Sequence, residues 1–364
     1  MKKCMGVVAL ALFALLFMPA TEAAPQQQQQ AKNKDTGLPW AYGFATSAPP
    51  EGAPAPRPGG AAAAAPAPAP AAAAPAAPAE DEDLVRHLPG TDAAFSIKQI
   101  DNNYGPADWY PGDHPPMPDV VAHGRKPAVT ACGFCHYPNG KGRPNNAGPA
   151  GLPAAYILQQ LADFRSGART SWDKRKRNTG QMIGIASALT PEEAQIAANY
   201  LSSMKWTSYV KVVEATDVPK NRFVGGGGGL NLPLEGAEAG MEPLGNRIIE
   251  TPVSVFDTEP MRNPRSGFVA YVPVGSLKRG EALVVGGGMG KTVACAACHG
   301  DGLKGDRDVP SLAGRSPSYL ARQLYDMQHF TRNGPGAALM RPVVKNLSED
   351  DITAIVAYVA SLQP

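Results

Sequence analysis

The sequence has few cysteines and aromatic residues, no long apolar run and almost no excess of charge. Basic and acidic residues number 34 and 32 of 364, which leaves a net charge of +2. Nucleic-acid-binding proteins usually carry a strong basic excess, so this balance argues against that class of protein. No apolar run reaches the roughly 18–20 residues that span a bilayer, which excludes a polytopic membrane protein.

Part of the chain has too little to bury to be expected to fold. Residues 48–79 hold 17 alanines and 10 prolines among 32 residues, which cannot offset the entropy cost of ordering the backbone. We predict a disordered Gln/Ala/Pro-rich arm over residues 24–83. Within it, Leu38–Phe44 carries three aromatic residues. This segment is a candidate docking motif, either for a partner or for the rest of the chain.

The first residues have the pattern of an export signal. Two lysines follow Met1, and Gly6–Met18 is an uncharged, mostly apolar run of 13 residues, within the usual range of about 7–15 for such a signal. Small residues suit cleavage after Ala23. We therefore expect residues 1–23 to be a signal peptide and the mature protein to be periplasmic; the alternative is an uncleaved anchor.

Four cysteines remain in the mature chain, and they form two short motifs of the pattern Cys-x-x-Cys-His. This is the attachment signature of c-type haem. Two thiols a short turn apart add to the two vinyl groups of one porphyrin, and the adjacent histidine reaches the iron from the same side. A structural zinc site would bring all four cysteines together or add a second histidine to a pair. We predict two covalently attached haem c groups, held by Cys132, Cys135, His136, Cys295, Cys298 and His299.

The two motifs begin an internal repeat with an offset of 163 residues. The same offset relates Tyr156, Gln160, Leu161, Asp163 and Arg169 to Tyr319, Gln323, Leu324, Asp326 and Arg332. Five residues are then missing from the second copy, and an offset of 158 aligns Met182 with Met340. Each methionine is followed by a helix start with a capping box or its relative, at Thr190–Glu193 and Ser348–Asp351.

This arrangement resembles a class I cytochrome c domain present twice, and the whole is similar to the tandem dihaem cytochromes of the cytochrome c4 type. The resemblance covers residues 118–206 and 277–364, about half the chain. It implies a small helical fold around each haem, with the two motif histidines as proximal iron ligands and Met182 and Met340 as distal ones. The alternative is that both methionines are ordinary core residues. His123 and His329 are weaker candidates for the distal iron ligands, because their repeat partners are not histidines.

We predict a mainly α protein with two cytochrome c-like helical domains. The first, with an N-terminal extension, covers residues 84–206, and the second covers residues 277–364. A long irregular connection, residues 207–276, joins them. Weak alternation of apolar residues indicates short strands in this connection, at Tyr209–Val213, Arg247–Glu250 and Phe268–Val274.

The expected function is that of an electron carrier between redox partner proteins in a respiratory or dehydrogenase-linked chain. Methionine ligation fills the iron's coordination, which suits electron transfer rather than substrate binding. The rivals are an electron-transfer subunit of a larger dehydrogenase and a dihaem peroxidase. The basic stretch Asp173–Arg177, missing from the second copy, predicts a positive surface near the first haem that steers an acidic partner; an ordinary solvated loop is the alternative.

Overall fold

The computed structural model describes residues 37–46, 83–224 and 229–364, and these residues belong to one compact unit. The predicted signal peptide and the Ala/Pro-rich tract lie outside the described residues. In the described part of the chain more residues lie in helices than in strands, and no helix has the length and apolar character to cross a membrane. Its α-helices are α1 Pro39–Tyr42, α2 Ile97–Ile100, α3 Asp119–Ala122, α4 Cys132–His136, α5 Ala154–Ser166, α6 Arg177–Ala188, α7 Pro191–Ser202, α8 Val255–Thr258, α9 Ser276–Gly286, α10 Ala296–His299, α11 Pro317–Gln328, α12 Pro335–Val344 and α13 Glu349–Ser361.

The sequence repeat is also a structural repeat. Helices α5, α6 and α7 begin at residues that match the first residues of α11, α12 and α13, at offsets of 163, 158 and 158 residues. Both predicted capping boxes form, with Thr190 and Ser348 as the N-cap residues. Local sequence signals therefore decide where these helices begin.

The last helix of each copy packs across the first. Helix α13 lies against α9, and α7 lies against α3 and α5. The contact between α13 and α9 depends on Gly280, because a Cβ atom there would collide with the carbonyl oxygen of Ala354. The core of the first copy includes Val121, Leu152, Ile157, Leu201 and Trp206. The core of the second copy includes Leu283, Leu320, Tyr325, Ile352 and Val356.

The connection between the copies contains strands. The strands of the described residues are β1 Val85–His87, β2 Ala94–Ser96, β3 Val210–Ala215, β4 Asp217–Pro219, β5 Asn221–Val224, β6 Leu230–Pro233, β7 Met241–Pro243, β8 Ile249–Pro252 and β9 Phe268–Pro273. Strands β3, β9 and β8 form a three-stranded sheet, in which β9 pairs in parallel with β3 and antiparallel with β8. The three predicted strands are thereby confirmed. Alternate residues of β9 are buried in the core of the second copy, so the connection is part of that core.

Residues 37–46, which we predicted to be part of the disordered arm, are ordered instead. Their apolar side chains lie in the core of the second copy: Leu38, Trp40, Ala41 and Tyr42. The Tyr42 hydroxyl donates a hydrogen bond of 2.7 Å to Asp326 Oδ1 on α11. The segment thus docks on the chain itself, and it contacts both copies, because the Tyr42 ring also packs against the Trp172 ring of the first copy.

Candidate functional site

The histidines of the two motifs are held by matching hydrogen bonds. His136 Nδ1 donates to the carbonyl oxygen of Ala147, and His299 Nδ1 donates to that of Pro310, each over 2.8 Å. A carbonyl oxygen only accepts, so Nδ1 carries the proton and Nε2 is left as the metal-binding nitrogen. Burial lowers the pKa of both histidines, which favours the neutral form that binds metals. The two acceptors lie at the repeat offset, so an alanine carbonyl and a proline carbonyl perform the same task.

A cavity lies beside the first motif. It has a volume of about 330 Å³, and its wall includes Cys135, His136 and Met182. A second cavity of about 100 Å³ has these three residues and Cys132 in its wall. Pockets that hold cofactors typically measure about 300–1,000 Å³. The structure therefore places all four predicted residues of the first haem site in the wall of the smaller cavity, and three of them also in the wall of the larger one.

The lining of this space fits a haem, which has an apolar ring and two carboxylate groups. The apolar wall comes from Leu152, Ile157, Leu161, Phe164, Ile185 and Leu189. At the polar end the wall includes Arg169 and Ser171, which can donate to carboxylates, and the described part of the chain leaves Ser171 Oγ buried without a hydrogen-bond partner. A group with an apolar body and a polar edge matches this division.

The second motif lies against the core of the second copy. His299 is buried, Cys298 is exposed, and Cys295 and Met340 are half-buried against that core. Met340 lies on α12 at the position that Met182 occupies on α6. Among the described residues, histidine, cysteine and acidic side chains form no cluster of three or more suited to a metal ion.

The two copies are joined by a reciprocal polar network that the sequence did not reveal. Arg169 donates to Gln323 Oε1 over 2.7 Å and Arg332 donates to Gln160 Oε1 over 2.9 Å. Each arginine also reaches a tyrosine hydroxyl of the other copy, Tyr319 or Tyr156. The repeat of these polar residues was visible in the sequence, but their pairing across copies depends on how the domains pack.

Residues of the second copy complete the wall of the first site. Tyr319, Arg322, Gln323 and Asp326 belong to the second copy, yet all four line the cavity beside His136. Arg322 is buried, and it donates to the carbonyl oxygens of Ala41 and Pro144. The sequence contained no signal for this role, since Arg322 replaces Gln159 at the matching position of the repeat.

The basic stretch Asp173–Arg177 presents less charge to solvent than we expected. Arg175 forms an ion pair of 2.6 Å with the buried Asp173 and lies 3.9 Å above the Phe44 ring. Lys176 is only 5% exposed. Lys174 and Arg177 remain exposed. The two inward residues cannot contribute fully to a docking surface, because folding directs them into the protein.

The comparisons with known proteins agree with this geometry. Residues 121–205 match the family described as cytochrome c, and residues 285–359 match the family described as cytochrome c oxidase, cbb3-type, subunit III. Cytochrome c-554(548) from Halomonas halodenitrificans is 39% identical over 75 residues, which are 20% of this chain and 90% of that protein.

Two longer relatives span both copies. A thiosulfate dehydrogenase electron acceptor from Stutzerimonas stutzeri strain A1501 is 26% identical over 242 residues, which are 66% of this chain and 82% of the relative. Cytochrome c4 from Stutzerimonas stutzeri is 26% identical over 239 residues, which are 64% of this chain and 85% of the relative. The chain belongs to the cytochrome c family, as a cytochrome c4-like electron carrier with covalently attached haem c groups.

Proposed function

We propose that the protein is a periplasmic dihaem cytochrome that carries single electrons between redox partner proteins in a respiratory or dehydrogenase-linked chain. Residues 84–206 and 277–364 are its two haem domains. The periplasmic location rests on the export pattern of residues 1–23.

In the first site, Cys132 and Cys135 would attach the haem, and His136 and Met182 would hold its iron. In the second, Cys295 and Cys298 would attach the haem, and His299 and Met340 would hold its iron. The observation that supports this assignment is that His136 and Met182 both line one cavity. The matched hydrogen bonds of His136 and His299 extend the assignment to the second site.

When bound, the haem iron would supply a one-electron redox couple. The residues of each site hold and orient that group. The Nδ1 hydrogen bonds fix the tautomer and the orientation of the imidazoles. A thioether ligand opposite histidine raises the reduction potential. The apolar wall of the first site would keep water from the ring, and a methionine that binds the iron would exclude a substrate from it.

The absorption spectrum of the reduced protein, with and without carbon monoxide, tests this ligation. We expect no change in the native protein, because both irons hold a sixth ligand. Met182→Ala and Met340→Ala should each bind about one carbon monoxide per protein. Met289→Ala is the matched control, since Met289 is fully exposed, and it should bind none. Binding by the native protein would contradict the methionine assignment at the haem that responds.

A second candidate is the dedicated electron acceptor of a dehydrogenase. Relatives named thiosulfate dehydrogenase electron acceptor, from two organisms, favour it. A stable complex on co-purification would support this role, whereas an isolated monomer would support a free shuttle. An acidic partner that docks beside the first haem remains a prediction, with Lys174 and Arg177 as the exposed cations of the loop.

A further inference from the structure

The first haem site has buried basic side chains in its wall, and the repeat shows which of them have a basic counterpart in the other copy. Three basic side chains line the cavity beside His136: Arg169, Lys176 and Arg322. Arg169 has Arg332 as its repeat counterpart, so this charge is present in both copies. Lys176 directly precedes α6, and the residue that directly precedes α12 is Gly334.

Position 322 breaks the symmetry of the copies a second time. The network between the copies is reciprocal, and Tyr319, Gln323 and Asp326 have identical counterparts in the first copy. The counterpart of Arg322 is the neutral Gln159, whose amide donates to Asp163 Oδ1 over 2.8 Å. Lys176 and Arg322 therefore line the first cavity without a basic counterpart in the other copy. Burial lowers the pKa of Lys176 well below its usual value, so Arg322 is the cation that carries the difference.

The acidic groups nearby do not cancel this difference. Asp326 lines the first cavity, but Asp163 is its counterpart in the first copy. Asp173 is engaged by Arg175 in an ion pair of 2.6 Å. Glu250 accepts hydrogen bonds from Ser316 and Ser318, and burial raises its pKa to about 7, which reduces its negative charge at neutral pH.

We propose that Arg322 holds the first haem at a higher reduction potential than the second, so that an electron entering the protein localises on the first haem. Reduction removes one positive charge from the iron, and a buried cation stabilises the state with less positive charge. If Arg322 instead pairs with a haem carboxylate, it neutralises negative charge near the iron, and the potential again rises. This inference rests on the haem ligation proposed above.

Spectroelectrochemical titration of the intact dihaem protein tests the proposal. The native protein should show two one-electron steps. Met182→His replaces the weak-donor thioether by imidazole and should lower the step of the first haem, which identifies it. We expect that step to be the higher one; if the lower step moves, the proposal is wrong.

Arg322→Gln should lower the step of the first haem about tenfold in its equilibrium constant, which is 59 mV for one electron, and leave the other step in place. Arg322→Lys keeps the charge while losing the guanidinium geometry, and should keep the native potential. Gln159→Arg adds the missing cation to the first copy and should raise the step of the second haem. An unchanged first step in Arg322→Gln, or an equal fall in Arg322→Lys, would overturn the role of the charge.

An error in the assigned iron ligands would give a different result from an error in the role of Arg322. If Met182→His moved neither step, Met182 would not be an axial ligand, and the ligation would fail together with this inference. If Met182→His moved the higher step and Arg322→Gln moved nothing, the ligation would stand and this inference alone would fail.

Discussion

Glu250 is a buried carboxyl in the middle of the molecule, 2% exposed. Its Oε2 accepts hydrogen bonds from Ser316 Oγ over 2.8 Å and from Ser318 N over 3.0 Å, at the start of α11. Burial raises its pKa from 4.5 to about 7, against the lowering effects of these hydrogen bonds and of Arg322. Because the folded-state pKa lies above the unfolded one, folding favours the protonated form, and its contribution is lost as the pH rises through about 7.

Glu250→Gln should therefore flatten the pH dependence of stability between about pH 4.5 and 7. The native protein should lose up to about 3 kcal/mol across this range from this one group. Denaturant unfolding of the intact protein, followed by circular dichroism at several pH values, measures the difference. Glu281→Gln, at an exposed carboxyl on α9, is the control and should retain the native profile; a native profile in Glu250→Gln would contradict the assignment.

At the scale of elements, the crossing of α9 and α13 depends on one glycine. Gly280→Ala should destabilise the protein by about 1–3 kcal/mol, the usual cost of overpacking, since the added Cβ would meet the backbone of Ala354. Gly286→Ala, in the same helix, meets nothing within 4 Å and should be neutral or slightly stabilising. Thermal unfolding of both variants decides this, and equal midpoints would show that the helices separate without cost.

At the scale of the whole molecule, the network around Arg169 and Arg332 joins the copies into one unit. Backbone hydrogen bonds of 2.6 Å, from Thr170 N to the Thr331 oxygen and from Asn333 N to the Ala168 oxygen, lie beside it. Trp206 adds a third link, because its indole donates to the Ala313 oxygen over 3.1 Å. We therefore expect the intact protein to unfold in a single calorimetric transition.

The double variant Arg169→Gln/Arg332→Gln should separate this transition into two. Each lost guanidinium removes hydrogen bonds from a charged donor, worth about 1.5–3 kcal/mol apiece, and leaves buried glutamine and tyrosine oxygens without a partner. Scanning calorimetry measures the number of transitions. Arg165→Gln is the control, because Arg165 binds carbonyls of its own copy, and it should keep one transition. A single transition in the double variant would mean that apolar packing alone couples the copies.

Several features of the protein were determined by the sequence alone, because they depend on local pattern. The motif spacing determined the haem chemistry, and the cap residues Thr190 and Ser348 determined where the last helices begin. The alternation of apolar residues located the three strands of the connecting sheet. Each of these signals acts within a few residues along the chain, so no knowledge of the fold is needed to read it.

Only the tertiary structure decided which of these parts meet. It ordered residues 37–46 against the second copy, turned Lys176 into the protein and placed Arg322 of the second copy in the wall of the first haem site. The physical reason is that burial and charge pairing depend on groups far apart in the chain, such as Tyr42 and Asp326. The sequence alone does not show whether a charged residue on a helix face lies beside water or beside a haem site.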